Sequence, residues 1–147
     1  MFKRILVPTD GSELSLESAK AAVSLAKENG AALVALNVQP IYRPPMVAEL
    51  PAADIYSQEE YEAEARKAGG KALAEVLALA GAASVPCKSW IELEVNPWEA
   101  IIKVARVEGC DLIFMASHGR RGVAGLLLGS ETQKVLTHCK IPVLVHR

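Results

Sequence analysis

Short apolar runs alternate with amphipathic stretches along most of the chain. Ile5 to Pro8 follows Lys3-Arg4 and reads as a buried strand. Thr9-Asp10-Gly11-Ser12 is a turn cluster whose Ser12 can cap a helix. In that helix Leu16, Ala19, Val23 and Ala26 recur at spacings of three and four, so one face is apolar. Asn29-Gly30 ends it, and Ala32 to Val38 is a second continuous apolar strand. Residues 39 to 56 carry Pro40, Pro44, Pro45 and Pro51, which suit neither ladder nor helix, and read as a long loop.

Ser57 opens a long helix with Glu59 and Glu60 in its first turn, where the dipole favours acids. The expected stripe is Ala65, Ala68, Ala72, Val76 and Leu79, with Gly81 as the stop. Cys87 to Val95 partly alternates, as a strand near a sheet edge does. Asn96-Pro97-Trp98-Glu99 predicts an N-cap, a first-position proline and a capping box. Ile101, Ile102 and Ala105 face inward and Gly109 stops the helix. Asp111 to Ala116 is a buried strand. Ser130-Glu131-Thr132-Gln133 predicts another capping box for a helix to about His138, and Ile141 to Val145 is the last strand.

Strands alternating with helices predict one α/β domain over residues 1–147: an open, mostly parallel sheet of about five strands, Rossmann-like, with helices on both faces. In such sheets ligands bind beyond the carboxyl ends of the strands. Those ends are Pro8-Thr9-Asp10, Val38-Gln39 and Met115 through Ser117.

Composition narrows the function. A net charge of −1 with no basic stripe argues against nucleic acid. Ile5-Leu6-Val7 is too short for a signal-peptide core or a membrane span, so a cytoplasmic location is expected and no membrane partner. Cys87, Cys110 and Cys139 form no CxxC and read as reduced thiols. Trp90 and Trp98 read as packing residues, and His118 lacks an evident nucleophile to activate.

The chemistry concentrates in residues 115–130, MASHGRRGVAGLLLGS. Gly119, Gly122, Gly125 and Gly129 lie between a buried strand and a helix start. Glycine lets backbone N–H groups approach an anion, and the helix adds unpaired N–H groups and the positive end of its dipole. Ser130 can reach a phosphate or cap its helix, and Arg120 and Arg121 can close over phosphates or stand in solvent. Neither a Walker A loop nor GxGxxG occurs. On these grounds the segment is a phosphate site or a plain turn.

The opening ILVPTDGSELS and the closing GSETQKVLTHCKIPVLVHR resemble the universal stress protein family, and the likeness covers essentially the whole chain. Nucleotide-binding members carry Gly, two residues, Gly, nine residues, Gly, then Ser or Thr. Here Ala116 stands at the first glycine, Gly119 at the second, and Gly129-Ser130 completes the pattern. The resemblance implies that Pro8, Thr9 and Asp10 line the adenine and ribose end and that the Val38 backbone bonds the adenine edge. It implies that Met115 and Ala116 flank the ribose. Gly119, Gly129 and Ser130 would hold phosphates, with Glu131 and Thr132 contributing from the first helical turn.

The expected ligand is ATP, or ADP or AMP, with Asp10 as a candidate holder of Mg²⁺ against the phosphates. A homodimer through Ile141 to Val145 is also implied. The expected role is regulatory, through conformation or dimer state rather than rapid catalysis. The alternatives are a slow ATPase or adenylate-handling enzyme, and a dimeric interaction module without nucleotide. The single glycine of TDGSELS argues against adenylate chemistry, and Gly119 with Gly129-Ser130 argues against the empty module.

Overall fold

The computed structural model describes residues 1–44, 57–119 and 128–147. Five parallel strands, β1 (Arg4–Pro8), β2 (Ala32–Gln39), β3 (Cys87–Leu93), β4 (Leu112–Ala116) and β5 (Val143–His146), form one sheet in the order β3-β2-β1-β4-β5. The helices are α1 (Glu13–Asn29), α2 (Gln58–Ala82), α3 (Pro97–Val107) and α4 (Ser130–His138). The expected fold class holds. β3 is an edge strand as its alternation predicts, and β5 is the other edge.

The sheet separates two cores. Ile5, Val7, Leu33, Ala35 and Phe114 pack with α1 and α2 on one face. Leu6, Val34, Leu36, Ile113 and Met115 pack with α3 and α4 on the other. Successive strand residues point to opposite faces, so a strand covered on both sides must be apolar throughout. The runs ILV, LVAL and LIFM satisfy that requirement.

Helix ends show where local signals suffice. Ser12 accepts from the Ser15 N–H, and Gly30 takes φ 63° as the left-handed stop. Ser57 and Glu60 form the reciprocal capping box of α2. Gly81 does not stop α2: the helix runs to Ala82, and Ser84 turns the chain at φ 58°. The buried line of α2 is Ala65, Gly69, Leu73, Val76 and Ala80, so Ala68 is exposed and Ala72 only half-buried. Alanine on several faces of a helix leaves its rotation to the bulkier Leu73 and to Gly69, against which β2 packs closely.

Asp111 lies just before β4, and its carboxylate accepts the N–H groups of Lys3 (2.8 Å) and Arg4 (3.0 Å). Partial desolvation raises its pKa, but the bonds from Arg4 and Lys3 outweigh that and hold the carboxyl below its ordinary value. A depressed folded-state pKa contributes stability above the unfolded carboxylate value, lost as pH falls through the folded one. Asp111→Asn should therefore cost about 1 kcal/mol at pH 7. In urea melts across pH, the gap between variant and parent should close below about pH 4.

Candidate functional site

The strand order reverses between β1 and β4: β2 and β3 extend to one side, β5 to the other. Such a switch point opens a crevice beyond the carboxyl ends of the two strands, because the following loops run to opposite faces. Asp10 leaves β1 there and Ser117-His118-Gly119 leaves β4.

The β1 side is held by a short polar network. The Thr9 N–H donates to Leu36 O (2.8 Å), and the Thr9 hydroxyl shares a hydrogen bond with that of Ser15 (3.1 Å). Thr9 Oγ1 accepts the Gly11 N–H (3.2 Å), and Asp10 Oδ1 accepts the Ser12 N–H (3.0 Å). Asp10 is thus in an Asx turn, which holds its carboxylate against the crevice rather than competing with a role there. Gly11 has φ 76°, which a side chain rarely adopts.

The β4 side meets it directly. A Cβ built on Gly119 would stand 2.4 Å from Asp10 Oδ2. Only a residue without a side chain lets the second loop run this close to the carboxylate of the first.

The start of α4 packs on the end of β4, beside the same loop. Its N-cap is Gly129, with Ser130 the first helical residue, so the capping box read at Ser130-Gln133 does not form. Glycine and serine both suit an N-cap, and the sequence placed the cap one residue late. A glycine cap has no side chain to accept the first-turn N–H groups, and the hydroxyl of Ser130 is not used as a cap. The Gly129 N–H donates to Ser117 O (2.7 Å), pinning the helix start to the end of β4.

Glu131 and Thr132 turn their side chains elsewhere. Thr132 is 2 % exposed, and Oγ1 donates toward Ala116 O (3.1 Å) and Ser117 O (3.2 Å). Glu131 Oε2 accepts the Trp98 N–H (2.8 Å) at the start of α3. That bond supplies the cap the sequence assigned to Asn96, whose side chain instead donates to Glu99 Oε1 (2.9 Å). What these two residues present at the α4 terminus is backbone. Thr132→Val keeps the shape but leaves two buried carbonyls without this donor. It should cost about 1–3 kcal/mol in denaturant unfolding, with Thr132→Ser retaining most of the stability.

The remaining predicted positions that the structure describes lie at the carboxyl ends of β1, β2 and β4. Pro8 ends β1, half-buried, one residue before Thr9. Met115 and Ala116 end β4; Met115 points into the α3–α4 core, so by alternation Ala116 lies on the α1 face, and both are buried. Val38 lies near the end of β2. Ala32 donates to Lys3 O and Leu36 accepts from Thr9, so the even-numbered β2 residues direct backbone groups toward β1. Val38 is the next such residue, beyond the last residue of β1. His118 shares a hydrogen bond with the Ser117 hydroxyl (3.2 Å). Arg120, Arg121, Gly122 and Gly125 lie outside the described residues, as does most of the 39–56 loop. Among the described residues no three His, Cys, Asp or Glu side chains converge as a metal site.

Sequence reasoning missed Asn37. It is 3 % exposed inside an otherwise apolar strand, and its Nδ2 donates to Thr9 O (2.9 Å). A lone polar residue in LVALNVQ is the available signal, since a buried carboxamide needs partners and so marks a non-local contact.

The whole chain, residues 1–147, matches the model of the universal stress protein family. It is 36 % identical over 145 residues to Universal stress protein MJ0531 of Methanocaldococcus jannaschii, covering 99 % of this chain and 82 % of that one. The solved structure of MJ0577, from the same organism, superposes with a TM-score of 0.74 at 30 % identity, covering 99 % and 95 % of the two chains. That of a universal stress protein in complex with cAMP gives 0.70 at 26 % identity, covering 99 % and 97 %. With a match along its full length and the same fold in its solved relatives, the chain belongs to the universal stress protein family.

Proposed function

We propose that this protein binds an adenine nucleotide (ATP, or ADP or AMP) in the crevice between β1 and β4 and acts as a cytoplasmic regulator. The observation that carries this reading is the meeting of Asp10 and Gly119 at the switch point, next to a helix start that is pinned to the end of β4 and whose cap has no side chain. Two elements separated by more than a hundred residues converge to leave backbone N–H groups and one carboxylate at a single mouth. The complex of a solved relative with cAMP supports an adenine ligand.

In this reading the Val38 backbone takes the adenine edge. Asp10, beside Pro8 and Thr9, takes the ribose, with Met115 and Ala116 flanking it. Gly119, Gly129, Ser130 and the N–H groups of Glu131 and Thr132 hold phosphates, and Arg120 closes over them. A single carboxylate completed by phosphate oxygens is a donor set Mg²⁺ accepts, so Asp10 fits a metal that arrives with the nucleotide. The output is a change of conformation or dimer state. Sheet edge β5 carries half-exposed Leu144 and suits pairing with a second copy through Ile141 to Val145.

The test begins with protein purified without added nucleotide, denatured, and its supernatant chromatographed. Adenine nucleotide at near-stoichiometric yield is expected. Nucleotide-free protein should gain about 2.7 kcal/mol of unfolding free energy with ligand at 100 times its Kd. No bound nucleotide together with an unmoved melting temperature in millimolar ATP would refute the reading. Turnover of many ATP per second would refute the regulatory mode.

A further inference from the structure

In the β1–β2 ladder, bonds alternate until Thr9 donates to Leu36 O. Thr9 directs its N–H and its carbonyl to the same side, toward β2. The regular continuation would be Val38 N–H donating to Thr9 O. That acceptor is instead engaged by the Asn37 carboxamide, Nδ2 to O 2.9 Å. The carboxamide is itself fixed: Oδ1 accepts Gln39 Nε2 at 2.7 Å. Behind it stands Gly69 of α2, where a Cβ would come within 2.8 Å of Asn37 Oδ1 and 3.3 Å of Ile91 Cδ1. A buried amide clamped on three sides is a costly device in an apolar strand unless it serves a specific geometry.

We infer that Asn37 is the positioning residue for base recognition: its side chain takes the place of the Val38 N–H on Thr9 O and leaves the Val38 N–H and C=O to read a nucleobase edge. The inference rests on the proposed nucleotide site and adds to it the source of its base selectivity. A backbone N–H beside a C=O matches adenine, which offers the N1 acceptor and an N6 donor. Guanine offers an N1–H donor and an O6 acceptor at the same edge, so each pairing is reversed. A site with fixed polarity rejects the reversed edge because its polar groups are left unpaired. The carboxamide of Asn37 acts through Val38 and need not touch the ligand.

The test combines amide hydrogen exchange with binding of ATP, GTP and inorganic tripolyphosphate to the full chain. In the ligand-free parent, Val38 N–H should exchange fast while Leu36 N–H is protected, and ATP should protect Val38. Asn37→Asp, assayed at mildly alkaline pH where the carboxyl is ionised, cannot donate to Thr9 O. Val38 should then be recruited to the ladder, its protection rising about tenfold and the ATP affinity falling about tenfold. The preference for ATP over GTP should shrink while tripolyphosphate binding stays the same. Gly69→Ala pushes on the carboxamide from the α2 side and should shift the same quantities the same way, which keeps the test decisive if Asn37→Asp does not fold. The Asn37→Gln variant, which retains the donor, should recover part of the preference. A Val38 N–H already protected in the free parent overturns the inference, as does an unchanged ATP-to-GTP ratio in folded Asn37→Asp and Gly69→Ala. Should the parent bind neither ATP nor tripolyphosphate, the nucleotide reading fails, and Val38 exchange still decides whether Asn37 ends the ladder.

Discussion

Gly119→Ala should lower adenine-nucleotide affinity by on the order of a hundredfold, about 2.7 kcal/mol, with the fold intact. The added methyl would fall 2.4 Å from Asp10 Oδ2, a distance no carbon and oxygen hold without bonding. A long flexible side chain would swing away. Asp10 is short, and its other oxygen is committed to the Ser12 N–H. Either the Asx turn breaks or the loop after β4 retreats, and both separate the two walls of the crevice. Gly119 is exposed, so little core packing is at stake. Calorimetric titration against urea unfolding separates the effects: affinity should collapse while the unfolding midpoint moves little. The double change Asp10→Ser with Gly119→Ala removes the clash and should recover the loop position, though not the carboxylate's own contribution.

Gly129→Val should lose both binding and stability. On the sequence alone, a side chain here would be expected to enter the phosphate space and spare the fold. The structure corrects that direction: the new Cβ meets His118 Cα at 3.1 Å and Ser117 O at 3.2 Å. Valine adds two branches with a restricted rotamer, so the strand end must move away from the helix start. That movement strains the Gly129 N–H to Ser117 O bond and draws on the adjacent Thr132 bonds. A cost of about 1–3 kcal/mol is expected from overpacking, together with at least about a hundredfold loss of affinity as the α4 terminus turns off the crevice. Gly129→Ala, which meets the same atoms with one methyl, should fall between parent and valine. A Gly129→Val protein with parental stability but no binding would restore the direct-intrusion explanation.

Most of the fold was legible because both-face burial and helix caps are local signals. Ile5 to Pro8, Ala32 to Val38 and Asp111 to Ala116 each lie within a residue of the observed strands. The Ser12, Gly30 and Ser57 termini were readable from adjacent residues. Failures came where the partner lies far along the chain or where neighbours are chemically alike. Glu131 caps α3 from 33 positions beyond Trp98, so the local Asn96–Glu99 pattern looked sufficient and was not. Gly81 resembled a stop, yet the turn falls at Ser84, because Val85 is pulled into the core and fixes where the chain must reverse. Gly69 belongs to the buried line of α2 in place of the expected Ala68, a choice set by its close packing on Asn37 of β2.

The site was legible as a set of strand ends and a glycine pattern, but not as an arrangement. No local signal says that Gly119 must touch Asp10, since their encounter depends on β1 and β4 lying side by side. Nor does Ser130 announce that its neighbour is the cap. The bond between Asn37 and Thr9 spans 28 residues and hides inside an apolar run. Each of these features comes from the parallel sheet, which brings distant loops to one rim.

The claim that a nucleotide lies in the β1–β4 crevice is tested most directly by an amide NMR titration of the full chain with ATP. Saturable shifts are expected, largest at the amides that line the crevice: Thr9, Asp10, Val38, Ala116, Gly119, Gly129, Ser130, Glu131 and Thr132. Saturable shifts centred elsewhere, or none at millimolar ATP, would contradict it.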